Sequence, residues 1–161
     1  MTNLTRYGAP AEGQSAGTLH VVFKVAQSEY LLPSETVLQM ESFSGATPVP
    51  GAPSYVIGIV QIRGRVVPVV DLRLRFGAGV GETVLDNRIV VGQYGDRVVG
   101  LLVDSAREVV KVTAAQLKPP PPILNHQASG FVKAVVQVGS RVMMLVDFAR
   151  VIGEEPLHGV D

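Results

Sequence analysis

A chain of 161 residues with 14 acidic and 14 basic side chains carries no net charge, so no global field draws it to nucleic acid or to an anionic membrane. Apolar residues make up 47% but aromatics only 6%, so the core must be built from Val, Leu and Ile, a mixture that favours strands. The absence of cysteine excludes disulfides, thiolate catalysis and Cys-ligated zinc, and fits a reducing compartment.

Residues 1–17 are rich in Gly, Ala, Ser and Pro and read as a flexible N-terminal tail, without the apolar stretch of a secretory signal. From Thr18 the texture changes: L-H-V-V-F-K-V-A reads as a strand, Q-S-E as a turn and Y-L-L as a returning strand. Pro33 opens a short helical turn through Val37, and residues 39–43 are extended. Three prolines between Pro48 and Pro53 exclude regular structure and predict a stiff loop. Residues 87–94 and 97–104 flank Gly95-Asp96 as a hairpin, and residues 108–112 form a short strand. Thr113, with Gln116 three positions on, has capping-box spacing. The prolines Pro119–Pro122 end that turn and hold the next stretch extended, a structural role preferred over a free polyproline ligand. Residues 155–161 are a short C-terminal tail. No run approaches the roughly 18 apolar residues that span a bilayer, so the expectation is a cytoplasmic protein that reaches membranes only through partners.

One segment occurs twice. Residues 60–77 read V-Q-I-R-G-R-V-V-P-V-V-D-L-R-L-R-F-G and residues 136–153 read V-Q-V-G-S-R-V-M-M-L-V-D-F-A-R-V-I-G, without a gap. Val60, Gln61, Arg65, Val66, Val70, Asp71 and Gly77 match Val136, Gln137, Arg141, Val142, Val146, Asp147 and Gly153. A shorter echo, R-V-V-G-L-L-V-D, ends at Asp104. The repeat distance is too long for a solenoid and suits two small fused subdomains. Each copy reads as a hairpin followed by a helical turn, with Asp71 and Asp147 placed as N-caps. A structural role then explains Asp71, Asp104 and Asp147 together.

No catalytic constellation is present. His20, His126 and His158 are isolated, with no ligand-spaced partner, and His20 reads as a surface or satisfied strand residue. Gly77 and Gly79 in G-A-G-V-G-E lack the strand–turn–helix context of a dinucleotide site. The chain is therefore expected not to be an enzyme and to need no cofactor or metal. A hydrolase using Asp71 or Asp147 with a distant histidine is the disfavoured alternative. Arg63 is the feature that breaks the repeat: a turn does not need arginine where the second copy has glycine. With Arg65, Arg73 and Arg75 it suggests a basic face, which leaves open a small β-barrel binding nucleic acid or a small ligand. The lack of interleaved aromatics disfavours nucleic acid.

The segment G-I-V-Q-I-R-G-R-V-V-P-V-V-D-L-R resembles the signature of the CheW-like chemotaxis adaptors, in which an Asn-Leu-Arg-Gly tip precedes a Pro-Val-Val-Asp-Leu-Arg strand. V-V-G-L-L-V-D-S-A-R-E-V-V-K-V with A-A-Q-L-K-P-P-P, and the loop P-V-P-G-A-P-S-Y-V-I-G, resemble the same family. The resemblance runs from Leu19 to about Gly153. It implies an all-β fold of two intertwined five-stranded SH3-like β-barrel subdomains with short helices, forming one domain over residues 18–154. It implies a non-enzymatic adaptor that couples chemoreceptor (methyl-accepting) cytoplasmic tips to the regulatory domain of a CheA-type histidine kinase, with no direct membrane insertion. Carried over, the partner-binding positions are Val37, Gln39, Gly58, Arg63, Gly64 and Val109. The family often has glutamate at the position of Gln39, where it can pair with the tip arginine. Glu41, on the same strand face, is the candidate substitute, and whether Arg63 pairs with it or with a partner is left open.

Overall fold

The computed structural model describes residues 17–78, 87–121 and 130–153. The tails, His126, His158, Gly79 and Pro122 lie outside the described residues.

The strands are β1 (Thr18–Val25), β2 (Ser28–Pro33), β3 (Val37–Ser42), β4 (Val56–Ile62), β5 (Arg65–Asp71), β6 (Arg88–Tyr94), β7 (Arg97–Val103), β8 (Ser105–Val112), β9 (Leu117–Lys118), β10 (Val132–Val138) and β11 (Arg141–Val146). Two short helices, α1 (Leu72–Arg75) and α2 (Phe148–Ile152), follow β5 and β11. The sheets run β8-β1-β2-β11-β10-β9 and β3-β6-β7-β5-β4. The first barrel is thus assembled from both ends of the chain, and the second from its contiguous middle. The fold is all-β and two-barrelled, with one correction: the two-residue β9 makes the first sheet six-stranded.

Several boundaries differ from the expectation. The first turn is Ala26-Gln27, both at positive φ, so Ser28 and Glu29 belong to the strand. β3 begins two residues earlier than the sequence pattern suggests and β8 three earlier. Alternation was obscured in both cases by a bulge. Gln39 pairs with Val91 and Val37 with Gly92, leaving Leu38 as the extra residue; Glu108 pairs with Val22 and Ala106 with Phe23, leaving Arg107 as the extra residue. A bulge inserts one residue and inverts the in–out pattern beyond it.

The internal symmetry is deeper than the repeated hairpin. β11 runs parallel to β2 with Leu145 opposite Leu31, and β5 runs parallel to β7 with Val69 opposite Gly100. Extending the match places β8, β1 and β2 in the roles of β3, β6 and β7. Even the bulges are duplicated: Ile57 of β4 and Lys133 of β10 are skipped at matching points. The echo ending at Asp104 is consequently not another copy of the hairpin strand. It is β7, the counterpart of β2.

Three apolar clusters hold this arrangement. Val22, Leu31, Val112, Ala134, Val136, Met143 and Leu145 fill the first barrel, and Val69, Ile89 and Val91 the second. The largest cluster lies between them and includes Phe23, Tyr30, Leu32, Leu72, Phe76, Val90, Leu101, Phe148 and Ile152. Its packing exchanges large for small across the symmetry. Phe148 matches Leu72, and Gly92 matches Phe23; a Cβ on Gly92 would lie 2.7 Å from the Phe148 ring, so glycine makes room for the larger side chain. Full burial of such side chains stabilises by roughly 1.5–3 kcal/mol each.

Polar contacts reinforce the junction. Asp71 Oδ1 accepts the Arg73 N–H at 2.9 Å and Asp147 Oδ1 the Arg150 N–H at 3.3 Å, each at the start of its helix. Asp104 caps no helix and plays its structural role differently. Its carboxylate takes the Ala26 N–H at 2.9 Å and two bonds from the Arg73 guanidinium at 3.1 and 2.8 Å, tying α1 to the β1–β2 turn. His20 is buried, with Nδ1 3.1 Å from the Thr18 carbonyl. Gln116 Oε1 accepts the Thr113 N–H at 2.8 Å on a single 3-10 turn.

Candidate functional site

The β4–β5 hairpin turns at Arg63-Gly64 with φ of 53° and 80°, the signature of a type I′ turn. Its counterpart, Gly139-Ser140, has positive φ only at glycine and follows the type II′ pattern. Arginine at a left-handed position costs about 1–2 kcal/mol. No contact with a described residue offsets that cost: neither Arg63 nor Arg65 makes a hydrogen bond or ion pair with any of them. Both side chains are exposed.

The open question about Arg63 is answered locally. Glu41 accepts a hydrogen bond from Gln39 Nε2 and does not pair with Arg63. Two grooves meet at the hairpin. A wide one of about 980 Å³ runs between Glu41 and Thr47 on one side and Ile59, Ile62, Arg63 and Val66 on the other. A smaller one of about 350 Å³ is lined by Leu38, Gln39, Ile62, Arg63, Arg65 and Val98, among others. Two of the apolar side chains that line them are well exposed, Val66 at 61% and Leu38 at 48%.

The first barrel treats the matching arginine differently. Arg141 reaches Glu29 at 3.0 Å and Glu108 at 2.9 Å. Hydrogen bonding to Arg141 holds the Glu108 carboxyl below its usual range, and the same bonds, led by that to Glu108, push the Arg141 guanidinium up.

Arg73 and Arg75 do not join the hairpin arginines. Arg73 is paired with Asp104. Arg75 donates to the Val151 and Arg150 carbonyls at 2.8 and 3.1 Å, and its guanidinium carbon lies 3.9 Å from the Tyr55 ring centre and 4.7 Å from that of Phe131. These two arginines lie at the helix end of β5 and face inward partners, so the continuous basic face from Arg63 to Arg75 does not exist. That removes the surface on which the nucleic-acid alternative depended. Burial raises the Asp71 carboxyl, partly countered by backbone hydrogen bonds from Arg73 and Leu74. Among the described residues no three His, Asp or Glu side chains converge to hold a metal.

Of the positions singled out from sequence, Gln39 and Arg63 come together at the smaller groove, with Gly64 at the tip. Val109 is 52% exposed on β8 of the other barrel and lines neither groove. Val37 is half-buried and packs on the shared core. Gly58 is buried, so no partner touches a side chain there. It sits at a bulge with φ of 151°, and a Cβ would lie 2.3 Å from the Thr47 carbonyl oxygen. This close approach lets Thr47 and Ile59 exchange backbone bonds of 2.9 and 2.8 Å, which close the second barrel between β3 and β4. Leu38 and Val66 went unrecognised, and Arg65 figured only as part of a basic face. The repeat matches Val66 with Val142, but that both are exposed is visible only in the fold.

Residues 19–155 match the family model described as CheW-like domain. The chain is 33% identical over 135 residues to "Chemotaxis protein CheW" of Rhizobium meliloti, covering 84% of this chain and 87% of that protein. It is 29% identical to "Protein FrzA" of Myxococcus xanthus, covering 81% and 82%. The solved structure of scaffolding protein TtCheW from Thermoanaerobacter tengcongensis superimposes with a TM-score of 0.75 at 28% identity, over 81% of this chain and 88% of that one. With both barrels included in the match, the chain belongs to the CheW-like domain family.

Proposed function

We propose that this protein is a non-enzymatic adaptor that joins chemoreceptor cytoplasmic tips to the regulatory domain of a CheA-type histidine kinase in a chemosensory array. The observation that carries the reading is the family match over residues 19–155, which includes both barrels and both repeated hairpins. The surface supports it. The hairpin tip holds an arginine in a costly conformation that no described contact repays, and exposed Val66 and Leu38 line the grooves beside it. Exposed apolar groups beside a cationic rim suit protein association. In this reading Gln39, Arg63, Gly64 and Val109 touch partners, while Gly58 and Val37 shape the surface from beneath. Among the described residues no helix is long and apolar enough to cross a membrane, and recruitment to receptor arrays proceeds through partners.

The test is assembly. A receptor cytoplasmic fragment and a CheA-type kinase should co-purify as a ternary complex when this protein is added and fail to do so without it. Recovery of the same complex in its absence, or no complex in its presence, overturns the proposal.

A further inference from the structure

The two barrels contain the same charged position with different surroundings. The matched registers align Arg141 with Arg65. They also align Glu108, opposite Val22 on β1, with Gln39, opposite Val91 on β6. Glu29, opposite Met143, aligns with Val98, because Leu145↔Leu31 and Val69↔Gly100 are the same step of the parallel ladder. The first barrel therefore surrounds its arginine with two carboxylates, and the second surrounds it with an amide and a valine.

We propose that the groove bounded by Arg65, Gln39 and Val98 is an acceptor for a carboxylate side chain, an Asp or Glu supplied by a protein partner. That carboxylate takes the place held within the first barrel by Glu29 and Glu108. Arg65 and Arg63 line the groove as exposed guanidiniums with no acceptor among the described residues. Among the described residues that line the two grooves, the one carboxylate is Glu41, which accepts from Gln39. A planar guanidinium binds a carboxylate well because two parallel N–H groups match its two oxygens, and the matching Arg141 is filled by carboxylates. The remaining walls are apolar, from Leu38, Ile62 and Val98, so an incoming acid is partly shielded from water and its pairing strengthened. The absence of an acid at both matching positions is what leaves the place open: a glutamate at position 39 would restore the Glu108 half of the Arg141 cluster and compete from within.

The proposal rests on the adaptor reading and adds the chemistry of one contact to it. Two variants test it, with the kinase regulatory-domain fragment and the receptor cytoplasmic fragment as probes. Arg65→Ala should fold normally and bind one of the two fragments about tenfold or more weakly. Gln39→Glu should melt about 2–4 °C higher and lose affinity for that same fragment, because the new carboxylate competes for Arg65. If the wild type binds while Arg65→Ala binds both fragments equally well, the proposal fails and the adaptor reading stands. If Gln39→Glu changes neither melting nor binding, the internal comparison is wrong and the proposal fails. Wild-type protein that binds neither fragment overturns both. An oligonucleotide that binds the wild type but not Arg65→Ala would assign the groove to phosphate instead, and also overturns it.

Discussion

Arg65 and Arg141 occupy matching places in two barrels of the same topology, yet Arg141 is held by Glu29 and Glu108 and Arg65 by no described acceptor. The interiors differ in the same sense. Among the described residues the first barrel's cluster is mostly fully buried, whereas the second's is ringed by half-buried apolar side chains such as Ile62, Val98 and Leu102. The gap beyond β10 is covered by β9, which pairs Leu117 with Val136 and Lys118 with Val135. Among the described residues, the gap beyond β4 is closed by the Thr47–Ile59 bridge alone and opens into the wide groove. The first barrel pairs its arginine internally; the second leaves the matching arginine without an acceptor among the described residues, and the proposed partner contact is placed there.

The strongest challenge to this comparison is at the shared core. Phe148→Ala removes a buried ring seated over Gly92 and should cost about 3–5 kcal/mol, with Leu72→Ala costing about 2–5 kcal/mol. Denaturant unfolding should remain a single transition for both, since the largest apolar cluster belongs to neither barrel alone. Two resolved transitions would mean that the barrels fold independently.

Closure of the second barrel is the next most sensitive point. Gly58→Val forces a side chain into the Thr47 carbonyl at a φ that favours glycine, at a cost of about 2–4 kcal/mol. The matching Ala134→Gly in the first barrel should cost about 1 kcal/mol or less. Urea titration of both variants separates them; equal losses would deny that Thr47 makes the two barrels different. Any loss of partner binding by Gly58→Val should be read after correction for its unfolded fraction.

The charged positions give a smaller contrast. Arg141→Ala should destabilise by about 1 kcal/mol, less in high salt, because its carboxylates are partly exposed. Arg65→Ala should stay within about 0.5 kcal/mol. The difference depends on pH in a defined direction. Glu108 has a depressed folded pKa, so its contribution is present above the ordinary glutamate value of 4.5 and is lost as pH falls through the folded value. Arg141→Ala should flatten that part of the acid limb. Asp71 acts oppositely: its folded pKa is raised, so its contribution is full below 3.8 and is lost as pH rises through the folded value. Melting temperatures measured across the acid range check both signs.

The smallest effect is at the tip. Arg63→Ala should lie within about 0.5 kcal/mol of wild type, and Arg63→Gly should be more stable by about 0.5–1 kcal/mol through relief of the left-handed arginine. Both should weaken partner assembly in pull-downs. Variants that melt much earlier yet bind normally once folded would make Arg63 a structural residue.

Much of this molecule was legible from local pattern. Valine-rich runs interrupted by Gly-containing pairs fixed the hairpins, and the repeated V-Q…R-V…V-D segment implied two related units, because turn chemistry and side-chain alternation are properties of neighbouring residues. The bulges at Leu38 and Arg107 were not legible, since an extra residue inverts the alternation from which strand ends are read. Nor was the division of the arginines. Arg63, Arg65, Arg73 and Arg75 lie within thirteen residues of sequence, but only tertiary structure directs Arg73 to Asp104 and Arg75 to the end of α2 while leaving the other two exposed. Gly58 reads as an ordinary strand glycine until Thr47 comes within van der Waals reach from across the barrel. The equivalence of Gln39 with Glu108 likewise exists only through strand pairing, because these residues share no sequence motif and are related solely by opposite ladders of the two barrels. Sequence sets what each segment can form alone; which charges meet, and which are left without a partner, depends on pairings between segments far apart in the chain.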